Sequence, residues 1–139
     1  MTFKVAVIGL GEAGSIIAAD LLEAGLTVDA WDPQPKHIPT GVKLTTSDHE
    51  VIRGADVILS VNLASVALDV ARSAAAVLTK AQVYADLNTA SPHLKREIAE
   101  VLRSSGALFA DVALLAPVPG RGLRTPALAS GPGAFSAAR

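Results

Sequence analysis

The sequence has no cysteine among its 139 residues, which excludes disulfides and thiolate metal sites. Its three histidines, His37, His49 and His93, are scattered without ligand spacing, so no metal site is expected. Lysine and arginine number 12 against 13 aspartates and glutamates, giving a net charge of −1. With neither sign in excess and aromatics at only 4%, both the basic stripe and the stacking platforms of a nucleic-acid binder are missing. Half of the residues are hydrophobic, but turns break the apolar runs well before the roughly 20 residues that a membrane span needs. Met1-Thr2-Phe3-Lys4 leads straight into a strand and a glycine loop, unlike the regions of a signal peptide, and the expected compartment is the cytoplasm. The length suits one domain that buries its own core without a staple.

The residues that are present begin with a glycine motif. Lys4-Val5-Ala6-Val7-Ile8 is an apolar strand that runs into Gly9-Leu10-Gly11-Glu12-Ala13-Gly14 and then into a helix. This is the dinucleotide fingerprint in its proper context: Gly9 allows the tight turn, Gly11 lets backbone approach a pyrophosphate, and Gly14 lets the helix pack closely on the strand. The pyrophosphate would rest on the free N–H groups of the helix N-terminus. A second strand, Leu26 to Trp31, ends at Asp32, eighteen residues after Gly14, near the spacing of roughly 20 expected of the carboxylate that accepts a ribose hydroxyl. Such a carboxylate repels a 2′-phosphate, so NAD is favoured over NADP. Asp29, inside the strand, should point to a different edge.

The rest of the chain alternates between strands and helices. The first helix is predicted from about Glu12 to Ala24, with Ile17, Leu21 and Ala24 at helical spacing, Ala18 and Ala19 suited to close packing, and Gly25 as its stop. Val42 to Leu44 reads as a short third strand. Ser47-Asp48-His49-Glu50 reads as a capping box, with Glu50 reaching back to the cap. Asp56 to Val61 is a strand buried on both faces, with Asn62-Leu63 as its exit. The helix from about Ala64 to Leu78 shows a Val66, Val70, Ala74, Val77 stripe. Gln82 to Leu87 is the fifth strand, Ser91 caps a helix that has Pro92 at its first position and runs to about Ser105, ending at Gly106, and Ala107 to Val112 is the sixth strand. A possible edge strand lies around Ala127 to Ser130. The pattern calls for an α/β, Rossmann-like, doubly wound, mostly parallel sheet with helices on both faces. The dinucleotide-binding domain is expected over residues 1–130, with 131–139 as a short tail. The loops after the first, fourth and fifth strands converge in such a fold, which makes Val61, Asn62, Leu63, Asn88 and Thr89 cofactor-binding candidates beside the glycine loop and Asp32.

Three blocks make the chain resemble the β-hydroxyacid dehydrogenase family, which contains 6-phosphogluconate and 3-hydroxyisobutyrate dehydrogenases. They are the glycine loop, Asp86-Leu87-Asn88-Thr89-Ala90-Ser91-Pro92, and Phe109-Ala110-Asp111-Val112-Ala113 with its proline- and glycine-rich sequel. The family often has Asp-x-Ser-Thr-x-Ser-Pro in the middle block, and the resemblance places Asn88 where the family's serine lies beside nicotinamide and substrate. An amide can still donate and accept there. Family members usually carry a Ser-Gly-Gly loop that holds a substrate carboxylate, whereas this chain reads Leu115-Ala116-Pro117 and then Pro119-Gly120-Arg121-Gly122-Leu123-Arg124. Arg121 and Arg124 are therefore candidates for pairing with an anionic substrate.

The resemblance also implies a catalytic lysine in an all-helical second domain, for which the sequence leaves no room before Arg139. The expectation is a truncated NAD-dependent oxidoreductase that would move hydride between a small hydroxy acid and NAD, with no catalytic residue assigned within these residues. Lys80 and Lys95 carry no mark of a replacement. Apolar surface left uncovered by the second domain favours a homo-oligomer. The alternative is a non-catalytic NAD(P)-binding module or sensor subunit. A third reading, in which the glycines serve packing alone, requires Gly11→Ala to leave binding unaltered.

Overall fold

Strands as short and as completely buried as Val83–Asp86 are stable only inside a sheet covered on both faces. The computed structural model, which describes residues 3–134, has seven strands. They are β1 (Lys4–Ile8), β2 (Thr27–Trp31), β3 (Lys43–Leu44), β4 (Val57–Ser60), β5 (Val83–Asp86), β6 (Leu108–Leu114) and β7 (Ala127–Ser130). Their order across the sheet is β3-β2-β1-β4-β5-β6-β7, and the edge strands β3 and β7 are exposed. All pairs are parallel except β6 with β7. The fold is thus the doubly wound, Rossmann-like α/β architecture that the alternation of elements implied. Residues 135–139 of the expected tail lie outside the described residues.

The helices are α1 (Glu12–Glu23), α2 (Asp48–Ile52), α3 (Ala64–Ala75) and α4 (Pro92–Leu102). On one face Ile17, Ala18 and Leu21 of α1 pack on Val5, Val7, Val28 and Ala30, with Val118 joining from the loop after β6. On the other, α2, α3 and α4 bury Ile52, Ala71 and Ile98 against Ile8, Ile58 and Tyr84. The chain leaves β1 toward β2 and later returns to β4 on the opposite side. This reversal opens a crevice at the carboxyl ends of β1 and β4.

Four local expectations are corrected. Glu50 reaches back past Ser47 to Thr46, accepting from its hydroxyl at 2.6 Å and its N–H at 3.3 Å, while Ser47 Oγ accepts the Glu50 N–H as expected. Those bonds from Thr46, the hydroxyl's first, hold the Glu50 carboxyl below its ordinary pKa. Helix α1 stops at Glu23, leaving Ala24 as its C-cap, and Ala19 is exposed. The inward face of α3 is Ala67, Ala71 and Ala74, of which the expected stripe held only Ala74; Val70 and Val77 pack partly buried against the same core, whereas Val66 is exposed, because the three alanines let α3 lie close to the sheet. The last helix also gives way to a 3-10 turn at Arg103–Ser105 before Gly106.

Candidate cofactor site

The crevice is a cleft of about 730 Å³ whose floor is the loop from β1 to α1. Gly9 has φ +110°, and a Cβ there would overlap the Val61 carbonyl oxygen. A Cβ on Gly14 would overlap the Gly9 carbonyl oxygen, so the absence of side chains is what lets α1 start against β1. Gly11 differs: a Cβ on it meets nothing within 4 Å, because it faces the open cleft. As the N-cap of α1, Gly11 brings no side chain to the first-turn N–H groups, which leaves them for an anion.

Asp32 closes one end. Its carboxylate accepts the Leu10 N–H at 2.6 Å and the Gln34 N–H at 2.8 Å, so it is held in place by the glycine loop. Each carboxylate oxygen keeps capacity for a further donor such as a ribose hydroxyl. Trp31 and Lys36 line the cleft beside Asp32, and Val66 and Val70 of α3 add apolar wall to it. Asp29, by contrast, is turned away and pairs with Lys4 at 3.2 Å.

On the far side of β1 the cleft is bounded by Val61, Asn62 and Leu63. Asn62 Nδ2 donates to the Ile8 carbonyl at 3.1 Å, and its N–H donates to Asn88 Oδ1. Asn88 Nδ2 in turn donates to Asn62 Oδ1 at 3.1 Å and Ser60 Oγ at 3.3 Å. Beneath this pair of amides, Lys95 Nζ lies 3.0 Å from Asp86 Oδ1 and 2.7 Å from Asp111 Oδ1. Asp86 is fully buried and Lys95 is 7% exposed. Nearby, the fully buried Tyr84 Oη has no partner in hydrogen-bond geometry. Burial pushes its ionisation well above the ordinary tyrosine range; the Ser60 hydroxyl opposes this in part and the Asp86 and Asp48 charges add to it.

The structure therefore gathers Gly9, Gly11, Glu12, Ala13, Gly14, Asp32, Val61, Asn62 and Leu63 around one cleft. Leu10 is buried behind it and contributes its N–H to Asp32. Asn88 stands one hydrogen bond behind Asn62, and Thr89 is exposed in the following loop. Arg121 and Arg124 are exposed elsewhere, in and beside a 3-10 turn where the Leu123 N–H donates to Asp20 of α1 at 3.0 Å. Sequence reading missed Trp31, Gln34, Lys36, Val66 and Val70 as lining residues. The signal for Trp31 and Lys36 was adjacency to Asp32; nothing local marked the valines as other than core. Among the described residues no cluster of three His, Asp or Glu side chains is placed to hold a metal, and no helix is long and apolar enough to cross a membrane.

The donor set fits a dinucleotide: unpartnered helix N–H groups for a pyrophosphate, an anchored carboxylate for a ribose, and apolar walls for an adenine. Comparison with known proteins agrees. Residues 4–122 match the profile of the NAD binding domain of 6-phosphogluconate dehydrogenase. A search of curated proteins gave no match. Among solved structures, a conserved hypothetical protein from Sinorhizobium meliloti 1021 is 29% identical with a TM-score of 0.88, over 99% of this chain and 50% of that one. The 3-hydroxyisobutyrate dehydrogenase of Mycobacterium tuberculosis, solved with L-serine, is 27% identical with a TM-score of 0.86, over 100% of this chain and 50% of that one. An imine reductase variant from Myxococcus stipitatus in complex with NAD+ is 25% identical with a TM-score of 0.82, over 94% of this chain and 47% of that one. The chain thus spans about half the length of the structures it matches.

Proposed function

The chain belongs to the family of the NAD binding domain of 6-phosphogluconate dehydrogenase, and from that premise we propose that its cleft takes NAD in preference to NADP and forms the cofactor side of a dehydrogenase site. The observation that carries this reading is the anchored Asp32 carboxylate, bonded to the Leu10 N–H at 2.6 Å and facing the same cleft as Gly11. It would accept ribose hydroxyls and oppose a 2′-phosphate. Lys36 also lines the cleft, but it is exposed and carried by the loop after β2, so the anchored carboxylate dominates the choice.

Bound NAD would supply the hydride acceptor, and a small hydroxy acid is the substrate class we assign to the complete site. Residues 1–130 would form the cofactor domain, in a cytoplasmic enzyme. Leu115 and Leu128, 57% and 65% exposed on and beside β7, fit a surface covered by self-association. A second reading, binding without turnover by this chain alone, is favoured by one observation: among the described residues the ionisable groups lining the cleft are Glu12, Asp32 and Lys36. Asp32 and Lys36 follow β2, across β1 from Asn62, so neither is placed where a base would have to meet a substrate hydroxyl.

Trp31, the single tryptophan, lines the cleft beside Asp32 and serves as the probe. Titration with NADH should quench its fluorescence at lower concentration than NADPH, and Asp32→Ala should erase that preference. Tighter NADPH binding, or no response to either by folded protein, would overturn the proposal.

A further inference from the structure

Lys95 is a buried lysine whose three ammonium donors are matched by three acceptors: Asp86 Oδ1 at 3.0 Å, the Asp86 carbonyl at 3.1 Å and Asp111 Oδ1 at 2.7 Å. A buried ion pair of this kind is weak as a source of stability, because its desolvation offsets its attraction. What it supplies is direction. Asp86 is fully buried, and besides Lys95 its carboxylate receives the Asn88 N–H at 2.9 Å and Asn88 Nδ2 at 3.3 Å. These bonds decide which way the Asn88 amide faces. Asn88 then presents its oxygen to the Asn62 N–H and its nitrogen to Asn62 Oδ1, and Asn62 lines the cleft.

The line of contacts runs from the middle of β6 through α4 and β5 to the exit of β4. It reaches the cleft only on the side of β1 away from Asp32, since β1 separates β2 from β4 in the sheet. We propose that Lys95 is a positioning residue for the non-adenosine half of the dinucleotide, acting through Asp86, Asn88 and Asn62. This rests on the reading of the cleft as an NAD site. With no donor left free, Lys95 itself is not placed to exchange a proton with a substrate.

The test compares NADH with ADP, which has the adenosine and pyrophosphate but neither the second ribose nor the nicotinamide, by calorimetric titration of the full chain. Lys95→Met should weaken NADH by about tenfold, the scale of losing one charge-anchored hydrogen-bond arrangement, and leave ADP within about twofold. Asn88→Ala should do the same, and the double variant should lose no more than either single one, because the two residues act in one line. Asp111→Asn, at a side chain one-third exposed, keeps the test open if Lys95→Met does not fold; its loss should be smaller and again confined to NADH. Equal weakening of both ligands, additive losses in the double variant, or unchanged NADH binding would each overturn the inference. Failure of the unsubstituted chain to bind either ligand would overturn the NAD reading and this inference with it.

Discussion

Gly11 and Gly14 belong to one motif but answer to different constraints. At Gly14 the missing Cβ is demanded by the protein itself, since the Gly9 carbonyl oxygen occupies its place. At Gly11 the fold demands nothing: the backbone is extended at φ −77° and the space beyond is empty. Only a ligand gives Gly11 a reason to lack a side chain. Gly11→Ala should therefore change the free energy of unfolding by less than about 1 kcal/mol, the scale of altering an uncapped N-cap, yet lower NADH affinity by about tenfold or more, because a methyl keeps the pyrophosphate off the helix N-terminus. Gly14→Ala should cost about 1–3 kcal/mol through overpacking. Urea unfolding and NADH titration of the two variants separate these effects. Undiminished NADH binding by Gly11→Ala would return the glycines to a packing role.

At the scale of elements, the start of α4 is the clearest case of a local code. Ser91 Oγ accepts the Leu94 N–H at 3.1 Å and Pro92 occupies the first position. Ser91→Ala should cost about 1 kcal/mol, seen as a lower urea midpoint at unchanged slope. Signals of this kind, a cap, a proline, a stopping glycine, a four-residue apolar run, involve neighbours in sequence, and they made the order of strands and helices readable. Helix α3 shows where such reading stops. Val66 and Val70 have the spacing of an inward stripe, but the residues that pack inward are Ala67, Ala71 and Ala74. An apolar wall meant for a ligand and an apolar stripe meant for the core have the same periodicity. The distinction lies in how closely the helix approaches the sheet, which is a property of the packed pair. The reach of Glu50 to Thr46 instead of Ser47 is a smaller instance, settled by which donors the preceding loop leaves open.

The assembled molecule contains the part of the site that no local pattern carried. The glycine loop and Asp32 were legible because the loop is contiguous and the carboxylate lies at a characteristic spacing. Lys95, Asp86 and Asp111 come from α4, β5 and β6, and their meeting depends on the register that pairs Asp86 with Asp111. The same packing buries Tyr84 completely. Its hydroxyl resists ionisation because burial, ahead of the opposing Ser60 hydroxyl and the reinforcing Asp86 charge, penalises the phenolate. In the unfolded chain the same hydroxyl ionises near pH 10. Below that pH both states hold the proton and Tyr84 contributes no pH dependence. Above it only the unfolded state releases the proton, so the raised folded value makes stability fall with rising pH, by about 1.4 kcal/mol per pH unit from this group. Because the chain has a single tyrosine, tyrosinate absorbance reports on it alone. The absorbance should stay absent as pH passes 10 and then appear together with the loss of helical circular dichroism. An ionisation near pH 10 with the helices intact would mean that the interior around β5 admits water, and that the buried charges beside it are less firmly held than their contacts imply.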